Sequence, residues 1–457
     1  MNRAAHLGLL RPARVHYGLV EVVGDIARVR AHGAALGELA LLSQPGWQSL
    51  ARVIEIDGPI VSVQVFGSGL GLSRGASISF LGAPLTAPLT PNLFGRVLRG
   101  DGTPRDQGPR LAAAQRTELN GPPVNPYARA LPGRMIHTGV PMIDMFNPLV
   151  ESQKLPIFAA PGEPANALLA RVGLGADADL VVFAGLGLVF DEFHAFRSRF
   201  EQAGVIDRTV MVVNLAGDPL VERLLAIDLA LAIAEGFALQ GLRVLALLTD
   251  MTAYADALKE IGIALERIPA ARGYTGDLYT QLARRYEKAC DFRRGGSLTI
   301  LAVTTLPGDD ITHPVPDNTG YITEGQLYLR GGRIDPFASL SRLKQHVIGK
   351  VTRADHGPLA NSMIRLFSEA EDAERKRQMA FELGPYDRRL LAYRRDFRDQ
   401  FMAIDQSLPL DAALDRGWAL LARHFRPAEL MLRDSLVAEH LLPRQQAARG
   451  AQPVGTG

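Results

Sequence analysis

A single cysteine, Cys290, stands in 457 residues. An intramolecular disulfide framework is therefore excluded, and the composition fits a reducing compartment. Cys290 itself reads as a small buried apolar residue late in a helix. The formal charge is only +2, so nothing calls for nucleic acid or an anionic membrane as a partner. Long apolar runs are missing too: the nearest, Leu224 to Leu239, is broken by Asp228 and Glu235 and falls short of a membrane span. Near the start, Arg3, Arg11 and Arg14 precede no sustained apolar stretch or cleavage pattern, which argues against a signal peptide. No His/Cys cluster suggests a metal. A further absence is local and chemical. The segment Leu155 to Asp191, LPIFAAPGEPANALLARVGLGADADLVVFAGLGLVFD, has the strand, turn and helix layout of an ATPase phosphate loop but no lysine and no following Ser/Thr. The turn carries Glu163 and Pro164 instead, a negative charge where phosphate would sit and a residue with no N–H to offer.

What is present reads as three domains. Up to about residue 85, short alternating runs suggest a small β-barrel: Ala27 and Val29 between arginines, Ile54 and Ile56 around Glu55, and Val61, Val63 and Val65 around Ser62 and Gln64. Asp57-Gly58 marks a hairpin. Gly82 to Pro91 reads as a linker. The Gly/Pro-dense stretch from Asn92 to Pro132 is too long to hang free and is expected to wrap over something.

Apolar strands at Leu180–Gly187, Thr209–Leu215, Arg243–Thr249 and Leu298–Thr305 then alternate with helices at Phe190–Gln202, Asp218 to about Gly241, Ala253–Ile261 and Asp277–Ala289. In the second of these helices Asp218 is the expected N-cap and Pro219 the first helical residue. That alternation predicts a parallel sheet covered on both faces. After about Lys350 the pattern is helical. Leu390, Tyr393, Phe397, Phe401 and Ile404 form a stripe read as core, and the mixed-sign run Glu369 to Arg377 reads as a solvated face. The expected division is 1–85 barrel, 86–349 parallel-sheet ATPase-type domain with a degenerate phosphate loop, 350–443 helical domain and 444–457 disordered tail.

The motifs HTGVPMIDMFNPLVESQKLPIF (His137 to Phe158), NLAGDPLVERL (Asn214 to Leu224), VLALLTDMTAYADALKEIG (Val244 to Gly262), RGYTGDLYTQLARRYEKA (Arg272 to Ala289) and PGDDITHPVPDNTGYITEGQ (Pro307 to Gln326) resemble the B, or β, subunit of the V/A-type rotary ATPases. The likeness runs from about residue 17 to Pro443. It implies an α/β fold: a small N-terminal β-barrel, a central RecA-like parallel-sheet domain and a C-terminal helical domain. It also implies a non-catalytic, regulatory subunit alternating with catalytic A subunits in an A3B3 ring.

Relatives of this type already lack the loop lysine, and this chain departs further at Glu163. Where catalytic relatives place a glutamate that positions the attacking water, the equivalent turn here is Gly187-Leu188-Val189, which cannot accept a proton. Autonomous hydrolysis is therefore not expected. Asp250 could orient water and Mg²⁺, but reads more simply as the N-cap of the next helix. Arg342, in SLSRL, matches the family arginine that reaches in trans to nucleotide held by the neighbouring subunit, an arginine finger. Ser341, Tyr321, Asp309 and Asp310 lie in segments that, by the resemblance, approach or brace the same interface. His313, beside Pro314, reads as structural.

The resemblance further implies ATP/ADP at the interface, with Mg held by the partner subunit rather than by this chain. It implies contacts with the central stalk and, at the N-terminal domain, the peripheral stalk, without nucleic acid and without membrane insertion. The subunit would be cytoplasmic, peripheral to the membrane. An alternative is a purely structural spacer without nucleotide contact; a third reading, a self-sufficient RecA-like motor, would need the missing lysine and glutamate.

Overall fold

The computed structural model describes residues 14–67, 69, 71–119, 121 and 123–450. The expectations for Arg3 and Arg11 lie outside these residues. The chain forms two compact units: one comprises the chain through Ala130 with Asp179–Leu306 and Asp310–Ile322, the other Leu131–Ala178, Pro307–Asp309 and the chain from Thr323.

The first unit begins with seven strands, β1 (Arg14–Tyr17), β2 (Leu19–Val23), β3 (Ile26–Arg30), β4 (Glu38–Gln44), β5 (Trp47–Asp57), β6 (Ile60–Val65) and β7 (Ser77–Pro84). They pair antiparallel in the order β1-β7-β4-β5-β6-β3-β2. Alternation puts Val29, Val53, Val61, Val63 and Ile78 into one core, because successive strand side chains point to opposite faces. Asp57 pairs with Ile60, so the hairpin turn is Gly58-Pro59, one residue later than the Asp57-Gly58 signal suggested.

The expected linker is structured. Gly82 to Pro84 finish β7, and Thr86–Leu89 pairs antiparallel with Gln115–Glu118. The Gly/Pro-dense stretch wraps as expected: Leu93, Leu98 and Leu119 join the main core, and Val97–Leu98 pairs in parallel with Thr209–Leu215.

Strands Leu180–Leu188, Thr209–Leu215, Arg243–Leu248 and Ser297–Thr305 pair in parallel. They read as unbroken apolar runs because both faces are covered. Helix Leu220–Leu239 is buried around nearly its whole circumference, as its predominantly apolar sequence requires, and Glu222, Asp228 and Glu235 are buried with it. Asp218 does not cap it. Its carboxylate accepts the Leu215 N–H at 2.7 Å, closing the preceding turn, and Pro219 stands at the N-cap. Cys290 is buried as expected but opens the short strand Cys290–Phe292 rather than ending a helix.

In the second unit, strand Lys154–Ala159 pairs in parallel with Gly325–Arg330, and helix Ala165–Gly175 follows the loop after the first of these strands. Helices His356–Gln378, Pro385–Phe401 and Leu410–His424 form the helical part. Leu390, Tyr393, Phe397 and Phe401 are buried there, with Phe397 packed 4.7 Å from Phe367 and 5.7 Å from Phe146. Part of the expected disordered tail is a helix, Leu442–Gly450, and the remainder lies outside the described residues. Among the described residues no helix is long and apolar enough to cross a membrane.

Candidate functional site

The loop after Lys154–Ala159 shows what replaced the phosphate cradle. Glu163 Oε1 accepts the Gly331 N–H at 2.7 Å, and Oε2 accepts the Gly332 N–H at 2.8 Å. Gly331 and Gly332 form the turn between strands Gly325–Arg330 and Arg333–Ile334. Their φ values of 57° and 71° are ones glycine adopts without penalty, and they aim both N–H groups at one point. The carboxylate thus serves as a built-in anion. A phosphate brought within about 4 Å of it would meet roughly 4 kcal/mol of repulsion per charge at an intermediate effective dielectric. Pro164, at the N-cap of helix Ala165–Gly175, has no side-chain cap bond. These residues do not fit a phosphate and its magnesium ion.

The other two positions tested for hydrolytic chemistry lie in the first unit. Leu188 is buried and Val189 half exposed, so this turn offers no acid. The Asp250 carboxylate accepts the Thr252 N–H at 2.9 Å and the Thr305 hydroxyl at 3.0 Å. It is the N-cap of helix Met251–Ala264. Burial raises its pKa against those hydrogen bonds. Among the described residues no group of three or more His, Cys, Asp or Glu could hold a metal ion.

Arg342 is built differently. It follows the two-residue strand Leu340–Ser341, which pairs antiparallel with Gly325 and Gln326. A Cβ at Gly325 would meet the Leu340 carbonyl oxygen at 2.1 Å, so only glycine lets these backbones approach. The Ser341 hydroxyl is fully buried. It donates to the Pro148 carbonyl at 2.8 Å and accepts from Gln153 Nε2 at 3.0 Å. That amide also donates to the Glu324 carbonyl at 2.9 Å. Ser341 is therefore a brace for the strand, with its hydroxyl already committed.

The Arg342 N–H donates to the same Glu324 carbonyl at 3.0 Å, and Nη1 donates to the Thr323 carbonyl at 3.1 Å. The residue is exposed, and among the described residues it makes no ion pair. A guanidinium has five donors, so one bond leaves most of them for a partner. Glu324, whose carbonyl anchors this backbone, is itself pinned by Lys154, Nζ to Oε1 at 2.6 Å.

The remaining candidates divide between the units. Tyr321, 75% exposed, ends helix Pro314–Ile322 in the first unit, whereas Arg342 and Ser341 lie in the second. Asp309 accepts the Tyr328 hydroxyl at 2.8 Å. Asp310 closes a turn on Thr312 and pairs with Arg272 at 2.6 Å; these bonds hold its pKa at about 2. His313 is buried edge-on against Tyr274, and burial, then the Arg272 charge, lowers its pKa. The partner of Glu163, a glycine turn 168 residues further on, carried no side-chain signal in the sequence.

Barrel, nucleotide-binding-type core and helical C-terminal part define an ATP synthase alpha/beta architecture. The beta-barrel domain of the ATP synthase alpha/beta family matches residues 19–82, and its nucleotide-binding domain matches 139–333. The C-terminal domain of V and A type ATP synthase matches 345–441. The V-type ATP synthase beta chain 1 of Treponema pallidum (strain Nichols) is 51% identical over 424 residues, covering 93% of this chain and 98% of that one. The V-type ATP synthase beta chain of Protochlamydia amoebophila (strain UWE25) is 49% identical over 418 residues, covering 91% and 95%. The chain belongs to the V-type ATP synthase beta chain family. The type III secretion ATPase EscN of enteropathogenic E. coli, at 23% identity, matches with a TM-score of 0.82 over 89% of this chain and 100% of that one, a likeness of fold.

Proposed function

We propose that this V-type ATP synthase beta chain is the non-catalytic, regulatory member of a head ring. It alternates with catalytic subunits and couples ATP synthesis or hydrolysis at their interfaces to ion transport through membrane-embedded partners. Nucleotide sits at those interfaces with its magnesium held by the catalytic neighbour, and rotor and peripheral stalks complete the set of partners. The observation that carries this reading is the contrast between two loops. The Glu163 carboxylate is taken up by the Gly331 and Gly332 N–H groups, while Arg342 is exposed, makes no ion pair among the described residues and follows the buried Ser341–Gln153 brace.

A planar cation supplied in trans stabilises charge on the transferring phosphoryl oxygens, an effect of about 10³–10⁵ in rate in comparable systems. Arg342→Ala in the reconstituted complex is therefore expected to leave assembly intact and to slow ATP hydrolysis by about 10³-fold or more. Normal assembly with unchanged turnover would sink the finger assignment and leave a structural spacer.

A further inference from the structure

Gln153 is fully buried in the second unit, and every polar atom of its side chain is bonded. Its Oε1 accepts the Val150 N–H at 3.0 Å. Its Nε2 donates to the Glu324 carbonyl at 2.9 Å and to the Ser341 hydroxyl oxygen at 3.0 Å. The one proton of that hydroxyl goes to the Pro148 carbonyl at 2.8 Å, so toward Gln153 the oxygen accepts. Segments far apart in sequence, Pro148 to Val150, Glu324 and Ser341, therefore meet at one side chain shut off from solvent. The side-chain chemistry is specific to that task. One partner is a donor and two are acceptors, and an amide supplies one oxygen and two N–H groups. A carboxylate of the same shape would face the Glu324 carbonyl with no proton to offer, and an apolar side chain would take a bond from each partner.

What this amide fixes is the footing of Arg342. The Glu324 carbonyl that accepts from Gln153 also accepts the Arg342 N–H at 3.0 Å, and the carbonyl before it, of Thr323, accepts Arg342 Nη1 at 3.1 Å. Ser341, the residue before Arg342, is held by the same amide. Glu324 is tied again to the residue after Gln153: its N–H donates to the Lys154 carbonyl at 3.1 Å, and its Oε2 accepts the Lys154 N–H at 2.9 Å. Backbone and guanidinium of Arg342 thus rest on two successive carbonyls, and Gln153 holds one of them directly.

We infer that Gln153 is a positioning residue for Arg342, setting where the guanidinium stands while its own buried side chain stays clear of the reacting groups. The inference rests on the finger role proposed above for Arg342. A catalytic group has to be held within about 0.5 Å of its working geometry, and a displacement of about 1 Å costs on the order of 10²-fold in rate. Arg342 is exposed, and among the described residues its guanidinium bonds only to Thr323. Its placement is therefore inherited from the buried bonds beneath it, where Gln153 is the common member.

The test is ATP hydrolysis by the reconstituted complex carrying Gln153→Met, Arg342→Ala or both. Methionine keeps the approximate volume and removes the hydrogen bonds. Gln153→Met should lower kcat by about 10- to 10²-fold and leave the KM for ATP within about twofold, because the misplaced contact is one made in the transition state. In the Arg342→Ala background the same substitution should change kcat by less than about twofold, since nothing is left to position. Ser341→Ala removes one arm of the network and disturbs less. It should slow turnover by about three- to tenfold with the same dependence on Arg342, and it decides the matter where Gln153→Met fails to assemble. A slow Arg342→Ala complex beside wild-type kcat in Gln153→Met, or in Ser341→Ala where that variant decides, would overturn this inference alone. So would an equal loss in the Arg342→Ala background, the mark of a purely structural role. Unchanged turnover in Arg342→Ala would overturn the finger role and this inference together.

Discussion

The carboxylate of Glu163 lies 2.8 Å from the backbone nitrogen of Gly332, and its other oxygen lies 2.7 Å from that of Gly331. An acidic side chain in the phosphate loop therefore does the reverse of cradling phosphate: it is held by the N–H groups of a neighbouring hairpin. Charge-assisted hydrogen bonds to backbone contribute about 1.5–3 kcal/mol when sheltered, less when water competes. Glu163→Ala should lower the local opening free energy of the turn by about 1–3 kcal/mol. Amide hydrogen exchange at Gly331 and Gly332 reads this directly, and unchanged protection would contradict it. Glu163→Gln, which keeps one carbonyl oxygen as acceptor, should fall between.

A second clamp responds to pH. Asp106 accepts Arg96 through both oxygens, at 2.7 and 3.0 Å, and the Val97 and Gly108 N–H groups at 2.9 Å each. Burial opposes its ionisation, but Arg96 and the two N–H groups outweigh it and hold the pKa at about 2. The folded value lies below the unfolded one near 3.8. The stabilisation is thus fully present above about pH 4 and is lost as pH falls through about 2. Asp106→Asn should cost about 1–3 kcal/mol at pH 7. Denaturation series should show that difference shrinking toward zero near pH 2; a pH-independent difference would count against it.

Asp250 separates a cap from a metal ligand. As N-cap bonded to Thr252 and Thr305, its change to alanine should cost about 1–2 kcal/mol, and Asp250→Ser should recover much of that. Magnesium alone should not alter the melting temperature of the isolated chain. A magnesium-dependent rise, abolished in Asp250→Ala, would show that the carboxylate holds metal.

These contacts also mark where sequence reading succeeds and where it stops. Helix Phe190–Gln202 and strand Thr209–Leu215 were legible to the residue, because burial of one helix face or both strand faces leaves a periodic or continuous apolar record. Gly82 to Leu89 looked like a linker because Pro84 and Pro88 are turn residues by composition. Pro88 instead lies in a short strand with a single paired neighbour, where a missing N–H is tolerated. Leu442–Gly450 was missed because its sequence is poorly apolar. Arg342 stands out in the sequence through its motif, whereas the brace beneath it does not. Ser341 bonds Pro148 and Gln153 across nearly 200 residues, and Glu163 bonds backbone groups that any residue possesses. The Arg52–Asp228–Arg285 cluster joins barrel to helices by charge alone, with no spacing rule to reveal it.

The most discriminating substitution at the proposed interface is Arg342→Lys. The guanidinium spends one Nη1 donor on the Thr323 carbonyl, and in the proposed role the rest of its fork would meet a neighbour's phosphoryl group. An ammonium carries the same charge, but as a point on a shorter, more flexible stem. It cannot anchor on Thr323 and also present two parallel donors to phosphate oxygens. If charge alone mattered, the lysine variant would turn over like the wild type. If the anchored planar fork matters, Arg342→Lys should recover only a small part of what Arg342→Ala loses, remaining about 10²-fold or more below wild type. The KM for ATP should change far less than kcat, because the interaction strengthens as charge develops in the transition state. A lysine variant with wild-type kcat would remove the case for an arginine-specific role, even if the alanine variant were inactive.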